Sequence, residues 1–520
     1  MKSIVLVITL AGRVAWAGAT CESLATLALR NTTISIAESR PAGEFTPPGA
    51  KAIENLPAFC RIAGSIQPSP DSDIRFEVWL PSSNWNGKFQ GIGNGGYAGV
   101  ISFSGLADAV RNGYATGSTD TGHQDGGQSA KWALNHPEKI VDFGHRAIHE
   151  TAVSAKAIIR AFYGAAPKRS YFNSCSNGGR QALMEAQRYP DDYDGIIAGA
   201  PANYWTHLMS AAVSGAIATL AEPASYIRSA KLPAIEAAAL AQCDAADGVK
   251  DGVIENPLAC RFDPSVLLCK GEESDSCLTV HQLTALKAIY GGLTNNQRKQ
   301  IFPGLSPGGE AEQGGWASWI TGDAPEKSAM YAYGTQFFRN MVYSNPDWQF
   351  RSFEPDRDVK SAIDRMARHL NSVDPDLSGF QRRGGKLILY HGWSDAAIPA
   401  TNAVNYYDSV IAKMGAKSAG DFVRLYMAPG MEHCTGGAGP NSFGQAGTPN
   451  GDRFHSVDAA LEAWVEQGTA PDRIIATKYK INNDAKSGVV RTRPLCSWPE
   501  MAHYSGSGST DDASSFVCAK

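Results

Sequence analysis

The sequence predicts an α/β fold in which a mostly parallel sheet, covered by helices, is interrupted by one large insertion. Three observations predict it. Strand-like apolar runs alternate with helix-spaced stretches at both ends of the chain. A turn of small residues centred on a serine joins one such strand to the helix after it. From about 203 to 384, helical segments are instead interleaved with Pro/Gly-rich loops, acidic turns and four closely spaced cysteines.

Residues 73–80 (DIRFEVWL) alternate apolar and polar as a half-buried strand does. Residues 88–92 (KFQGI) are a strand running into the turn Gly93-Asn94-Gly95-Gly96. Apolar spacing of three to four makes 145–163 a helix, followed by a short strand at 170–174, the small-residue turn, a helix at 180–188 and a strand at 193–198. The helices expected at 208–220 and 280–291 belong to the insertion. Order resumes with the strand 386–390 (KLILY), the helix 401–414, the strand 422–427 (FVRLYM) and the helix 456–467. The Ser/Gly/Asp-rich tail 503–515 is expected to loop over the surface.

Of the 520 residues, 43% are hydrophobic, enough for a sizeable core and against wholesale disorder. The 47 Lys+Arg are balanced by 51 Asp+Glu, leaving no broad basic surface for nucleic acid. Met1-Lys2, the apolar run Ser3 to Gly12 and the small residues of Ala15-Trp16-Ala17 and Ala17-Gly18-Ala19 read as a signal peptide over 1–19. No later stretch is long and apolar enough for a membrane span. The protein is therefore expected to be secreted or periplasmic, where disulfides persist, and all ten cysteines lie beyond residue 19. The expected division is a first core part at 20–202, a lid at 203–384 and a second core part at 385–520.

An esterase needs a nucleophilic oxygen, a base, a group to orient the base, and donors for an oxyanion. Residues 174–179 (Ser-Cys-Ser-Asn-Gly-Gly) occupy a strand-to-helix junction and place Ser176 at the centre of a G-x-S-x-G-type elbow, with Ser174 in place of the first glycine. The motif is weak alone, because serine and glycine also populate ordinary turns. Its partners strengthen it. Asp395 follows the strand 386–390 and His433 follows the strand 422–427, so the chain order is Ser, Asp, His, each just beyond the carboxyl end of a strand. Singly, Asp395 reads as a turn cap and His433 as a loop histidine; together, in order, they read as a triad. The oxyanion donors would be the backbone N–H of Asn177 and that of Gly95 or Gly96.

Cys175-Ser176, His433-Cys434 and the Asp395 loop (YHGWSD) resemble the tannase/feruloyl esterase family, which includes bacterial terephthalate-monoester hydrolase. The resemblance extends over essentially the whole mature chain. It implies an α/β-hydrolase fold with a large inserted lid domain, and hydrolysis of small-molecule esters of aromatic acids without an organic cofactor. It also implies a Cys175–Cys434 disulfide tying nucleophile to base; with neighbour logic it gives Cys21–Cys60, Cys243–Cys260, Cys269–Cys277 and Cys496–Cys518. Residues 243–260 (CDAADGVKDGVIENPLAC) offer hard oxygens to a hard cation but are not an EF-hand, since Ala246 and Val249 stand where its third and sixth positions would be. The resemblance implies a structural calcium on Asp244, Asp247, Asp251 and the backbone oxygens of Val249 and Val253; a solvated acidic turn is the plainer reading.

The lid offers Tyr331, Tyr333, Phe337, Phe338, Tyr343 and Trp348 for an aromatic pocket, with two or three expected at the substrate and the rest in the core. Arg339 would meet an anionic group or make a surface salt bridge. Among the substrates the resemblance implies, a feruloyl or other hydroxycinnamoyl ester is favoured, with galloyl esters and terephthalate monoesters as alternatives. Readings of other classes are a serine peptidase and a calcium-stabilised binding protein on an inactive hydrolase scaffold.

Overall fold

Nine strands form one sheet in a computed structural model that describes residues 18–445 and 447–520. The proposed signal peptide falls almost wholly outside the described residues. In chain order the strands are β1 (Thr32–Arg40), β2 (Phe59–Ile66), β3 (Ile74–Pro81), β4 (Lys88–Ile92), β5 (Ala115–Thr119), β6 (Arg169–Cys175), β7 (Gly195–Gly199), β8 (Lys386–Gly392) and β9 (Val423–Ala428). Their spatial order is β1-β2-β3-β5-β4-β6-β7-β8-β9. From β5 to β9 every pairing is parallel, and β1 to β3 extend the sheet antiparallel. This is the α/β-hydrolase arrangement.

Side chains leave alternate faces of each strand, so a sheet covered on both sides must be apolar on both. On one face Phe172, Ile196, Leu387, Leu389 and Leu425 share a buried cluster with the helices Ala147–Tyr163 and Thr401–Met414; on the other, Tyr171, Ile197, Ile388, Tyr390 and Tyr426 share one with the helix Val457–Gln467. Each of these buried side chains contributes roughly 1.5–3 kcal/mol. β5 is a different kind of strand. Its sequence, Ala-Thr-Gly-Ser-Thr, has no apolar alternation, yet all five residues are buried between larger neighbours.

The insertion leaves after β7 and returns at β8, which pairs directly with β7. It carries the helices Trp205–Leu220, Val280–Gly291, Ala329–Gln336 and Pro355–Leu370 and one short two-stranded hairpin. Local signals explain the boundaries. Thr279 and Gln282 close a capping box at the start of Val280–Gly291, and Pro355 opens its helix behind a Glu354 cap. Phe337, Phe338 and Trp348 of the insertion share a buried cluster with Tyr97, Trp132 and Phe143 of the core. No helix among the described residues is long and apolar enough to cross a membrane.

The C-terminal region departs from expectation. Arg473–Tyr479 pairs with Val489–Cys496, and Met501–Tyr504 pairs with Phe516–Ala519, so the tail is a hairpin whose connection alone loops. All five implied disulfides are formed, and no described cysteine is free.

Candidate active site

Ser176 sits between the last residue of β6 and the helix Asn177–Arg188 with φ 68° and ψ −126°, a region costly for any residue but glycine. The turn is over-determined. Ser176 N–H donates to Gly199 O at 2.9 Å, and its carbonyl accepts from Arg180 N–H and Ala202 N–H, each at 3.1 Å. Ser174 fits because its neighbours are glycines: its Oγ would lie 1.9 Å from a Cβ at Gly178 and 2.8 Å from one at Gly93. Arg180 lies fully buried beneath, donating to Asn177 Oδ1 at 2.8 Å and to the carbonyls of Gly144 and Phe143.

Ser176, His433 and Asp395 form one hydrogen-bonded chain. Ser176 Oγ lies 2.9 Å from His433 Nε2, and His433 Nδ1 lies 2.8 Å from Asp395 Oδ2. Asp395 Oδ1 accepts from the N–H groups of Ala397 and Ile398 at 2.8 and 2.9 Å. Oδ2 also meets Nε2 of the buried His391 at 3.0 Å. Burial alone would raise the Asp395 pKa, but the charge of His433 and hydrogen bonds from His391 and His433 outweigh it and hold the carboxylate well below its usual range. His391 was not singled out from the sequence; it lies in the same YHGWSD motif, inside the strand. Glu432, beside His433, has neither carboxylate oxygen hydrogen-bonded among the described residues. Burial, then the charges of Asp395 and Glu312, pushes its pKa up to about 10, so it is neutral at pH 7 and adds no second anion beside Asp395. The Cys175–Cys434 disulfide joins the residue before Ser176 to the residue after His433 across 259 positions of sequence.

Asn177 is the first residue of its helix, and it lines a pocket of about 360 Å³, open mouth included, together with Ser176 and Gly96. Gly95 lines a different cleft, so of the two glycines Gly96 is the one brought to Ser176. Gly96 has φ 55°, and a Cβ there would lie 2.4 Å from Gly127 O. Asn94 bolts this turn to the helix after Ser176, its N–H and Oδ1 engaging the Gln181 side-chain amide at 3.0 and 3.1 Å. The remaining pocket wall combines three aromatic side chains, Trp205, Trp319 and Tyr333, with aliphatic ones. Trp319 stands edge-on to His433 at 5.0 Å and stacks at 6.2 Å on Tyr333, and Trp205 lines the same pocket.

Of the aromatic candidates, Tyr333 lines this pocket and Tyr331 a neighbouring cavity, while Phe337, Phe338 and Trp348 are core and Tyr343 packs against them. Arg339 donates to the Trp348 carbonyl at 2.8 Å and reaches neither the pocket nor a described carboxylate. Trp205, Trp319 and Met330 had no sequence signal, because the wall is assembled from separate segments scattered between Gly96 and Ile398.

Elsewhere, Asp244 accepts from the N–H groups of Asp251 and Gly252, and Asp247 from Val249. Asp251 pairs with Arg491 at 2.9 Å and Arg493 at 2.5 Å. The donor set suits a hard cation, but the three carboxylates do not gather within 4.8 Å of one another.

The model of the family "Tannase and feruloyl esterase" matches residues 60–519. The chain belongs to that family. An uncharacterized esterase of Xanthomonas campestris is 45% identical over 96% of this chain and 91% of its own length. A probable feruloyl esterase B-2 of Aspergillus flavus is 35% identical over 84% of this chain and 83% of its own. The crystal structure of feruloyl esterase B from Aspergillus oryzae superposes with a TM-score of 0.88 at 30% identity, covering 96% of this chain and 99% of that one. As a member of the tannase and feruloyl esterase family, the protein is a carboxylic ester hydrolase.

Proposed function

We propose that the protein hydrolyses esters of aromatic acids, hydroxycinnamoyl esters foremost, through an acyl-enzyme on Ser176. The observation that carries the reading is the Ser176–His433–Asp395 chain, with contacts of 2.9 and 2.8 Å, opening into a pocket walled by Trp205, Trp319 and Tyr333. His433 Nε2 takes the Ser176 proton as Oγ attacks the ester carbonyl, while Asp395 holds the imidazole tautomer and balances its charge. The N–H groups of Asn177 and Gly96 receive the oxyanion. His433 then protonates the leaving alcohol, and a water activated by His433 releases the acid. The relatives named feruloyl esterase favour the hydroxycinnamoyl acyl group.

Two further parts belong to the proposal. The 243–260 loop holds a structural calcium through Asp244, Asp247, Asp251 and the carbonyl oxygens of Val249 and Val253; its support is the set of hard donors in one loop stapled by Cys243–Cys260, and binding requires Asp251 to share itself between the ion and the tail arginines. Export is supported by five disulfides, which persist in oxidising compartments. Hydrolysis of methyl ferulate, methyl gallate and a terephthalate monoester, compared on one sample, tests the acyl assignment: the highest kcat/KM is expected for ferulate, and a preference for either of the others overturns it.

A further inference from the structure

Beside the Ser176 pocket lies a second cavity of about 660 Å³, open mouth included. Leu208, Met330 and Ala397 line both, so these three side chains are what stands between them. We propose that the second cavity is a binding subsite for the far end of an extended, uncharged acyl group whose carbonyl carbon is held at Ser176. The proposal rests on the serine-esterase reading and adds which acids the site accepts.

Three observations carry it. Among the described residues no charged side chain lines either cavity, whereas a separate cleft lined by Ser174 carries Asp108, Arg111 and Asp458. A carboxylated acyl group entering this space would lose its hydration without gaining a counter-charge. An apolar chain or ring would instead gain the transfer free energy of its buried surface. Second, the leaving oxygen must face His433 Nε2, and His433 lines neither cavity. A group filling them therefore hangs from the carbonyl carbon and not from the alcohol. Third, the space is kept open by residue choice. Gly215 lies within the helix Trp205–Leu220, where glycine is a poorer helix former than alanine, yet a Cβ there would meet no described atom within 4 Å. Close packing does not require that glycine; an open cavity uses it. Met330, unbranched and flexible, is suited to a partition that moves aside when a long acyl group enters.

The test is a series of p-nitrophenyl esters, acetate, benzoate and 5-phenylvalerate, with Gly215→Phe filling the floor. Ala288→Phe, at an exposed lining position on the helix Val280–Gly291, fills the mouth independently should the first variant fold poorly. In the unsubstituted protein, kcat/KM is expected to rise with acyl length. Either variant should lower kcat/KM for phenylvalerate about tenfold or more while acetate changes less than about twofold. If the folded variants hydrolyse phenylvalerate as well as the parent, or lose acetate to the same degree, the subsite is refuted. Failure of the underlying reading looks different: acetate hydrolysis that survives Ser176→Ala.

Discussion

The Ser176 end of the sheet and the aspartate loop of the insertion hold their carboxylates by opposite means. Asp395 is buried at the end of a parallel strand and takes hydrogen bonds from two backbone N–H groups and two imidazoles. Its geometry is set by the sheet and needs no ligand. Asp244 and Asp247 take theirs from N–H groups of their own loop, and Asp251 leans on Arg491 and Arg493 from the tail. The difference teaches where preorganisation comes from. A site at a strand end inherits rigidity from long-range packing, whereas a loop site depends on what neutralises it.

That contrast is broken most severely at Ser176, the proposed nucleophile. Ser176→Ala is expected to lower kcat by about 10⁴-fold or more while leaving folding intact, as judged by kcat and thermal melts. Ser176→Gly should abolish activity equally yet raise stability by about 1 kcal/mol, because glycine tolerates φ 68°. An unstrained turn would show no gain.

The bridge between the two loops comes next. Replacing Cys175 and Cys434 together by Ala should lower kcat about 10- to 100-fold and move KM much less, since proton transfer tolerates little displacement. Unchanged turnover with a lower Tm would make the bridge a staple and nothing more.

The aspartate loop should respond in the reverse sense. Calcium at one hundred times its Kd is expected to add about 2.7 kcal/mol to stability with kcat at 25 °C unchanged. A chelator should reverse the gain, and a Tm insensitive to both would remove calcium from the account.

The smallest effect is pH-linked. Glu432 keeps its proton in the folded protein up to about 10, while unfolded it ionises near 4.5. The folded state thus binds the extra proton between those values, and stability falls as pH rises through them. Glu432→Gln removes that slope, so relative to the parent it should gain on the order of 2 kcal/mol between pH 5 and pH 6.5 in denaturant titrations. Parallel pH profiles for the two proteins would show that Glu432 is ionised.

The same contrast explains what could be read from residues alone. That Ser176, Asp395 and His433 come together was legible because each follows the carboxyl end of a strand, two of them marked by apolar runs, and the cysteines beside Ser176 and His433 carry the family resemblance. β5 was not, because Ala-Thr-Gly-Ser-Thr becomes a central strand only through the bulk of its neighbours. Neither was the extension by β1 and β2, nor the tail hairpin, where pairing partners decide the structure and local pattern does not. His391 was hidden inside an apolar strand. The pocket was hidden because Gly96, Trp205, Trp319 and Ala397 meet only after the insertion folds back on the sheet.

The central claim is that Ser176 is the nucleophile of a preorganised triad. Intact-mass and peptide analysis after reaction with a fluorophosphonate probe tests it most directly. One adduct, on Ser176, lost in unfolded protein and in His433→Ala, is the predicted result. A folded, active enzyme that stays unlabelled at Ser176, or one inactivated by labelling at another serine, contradicts it.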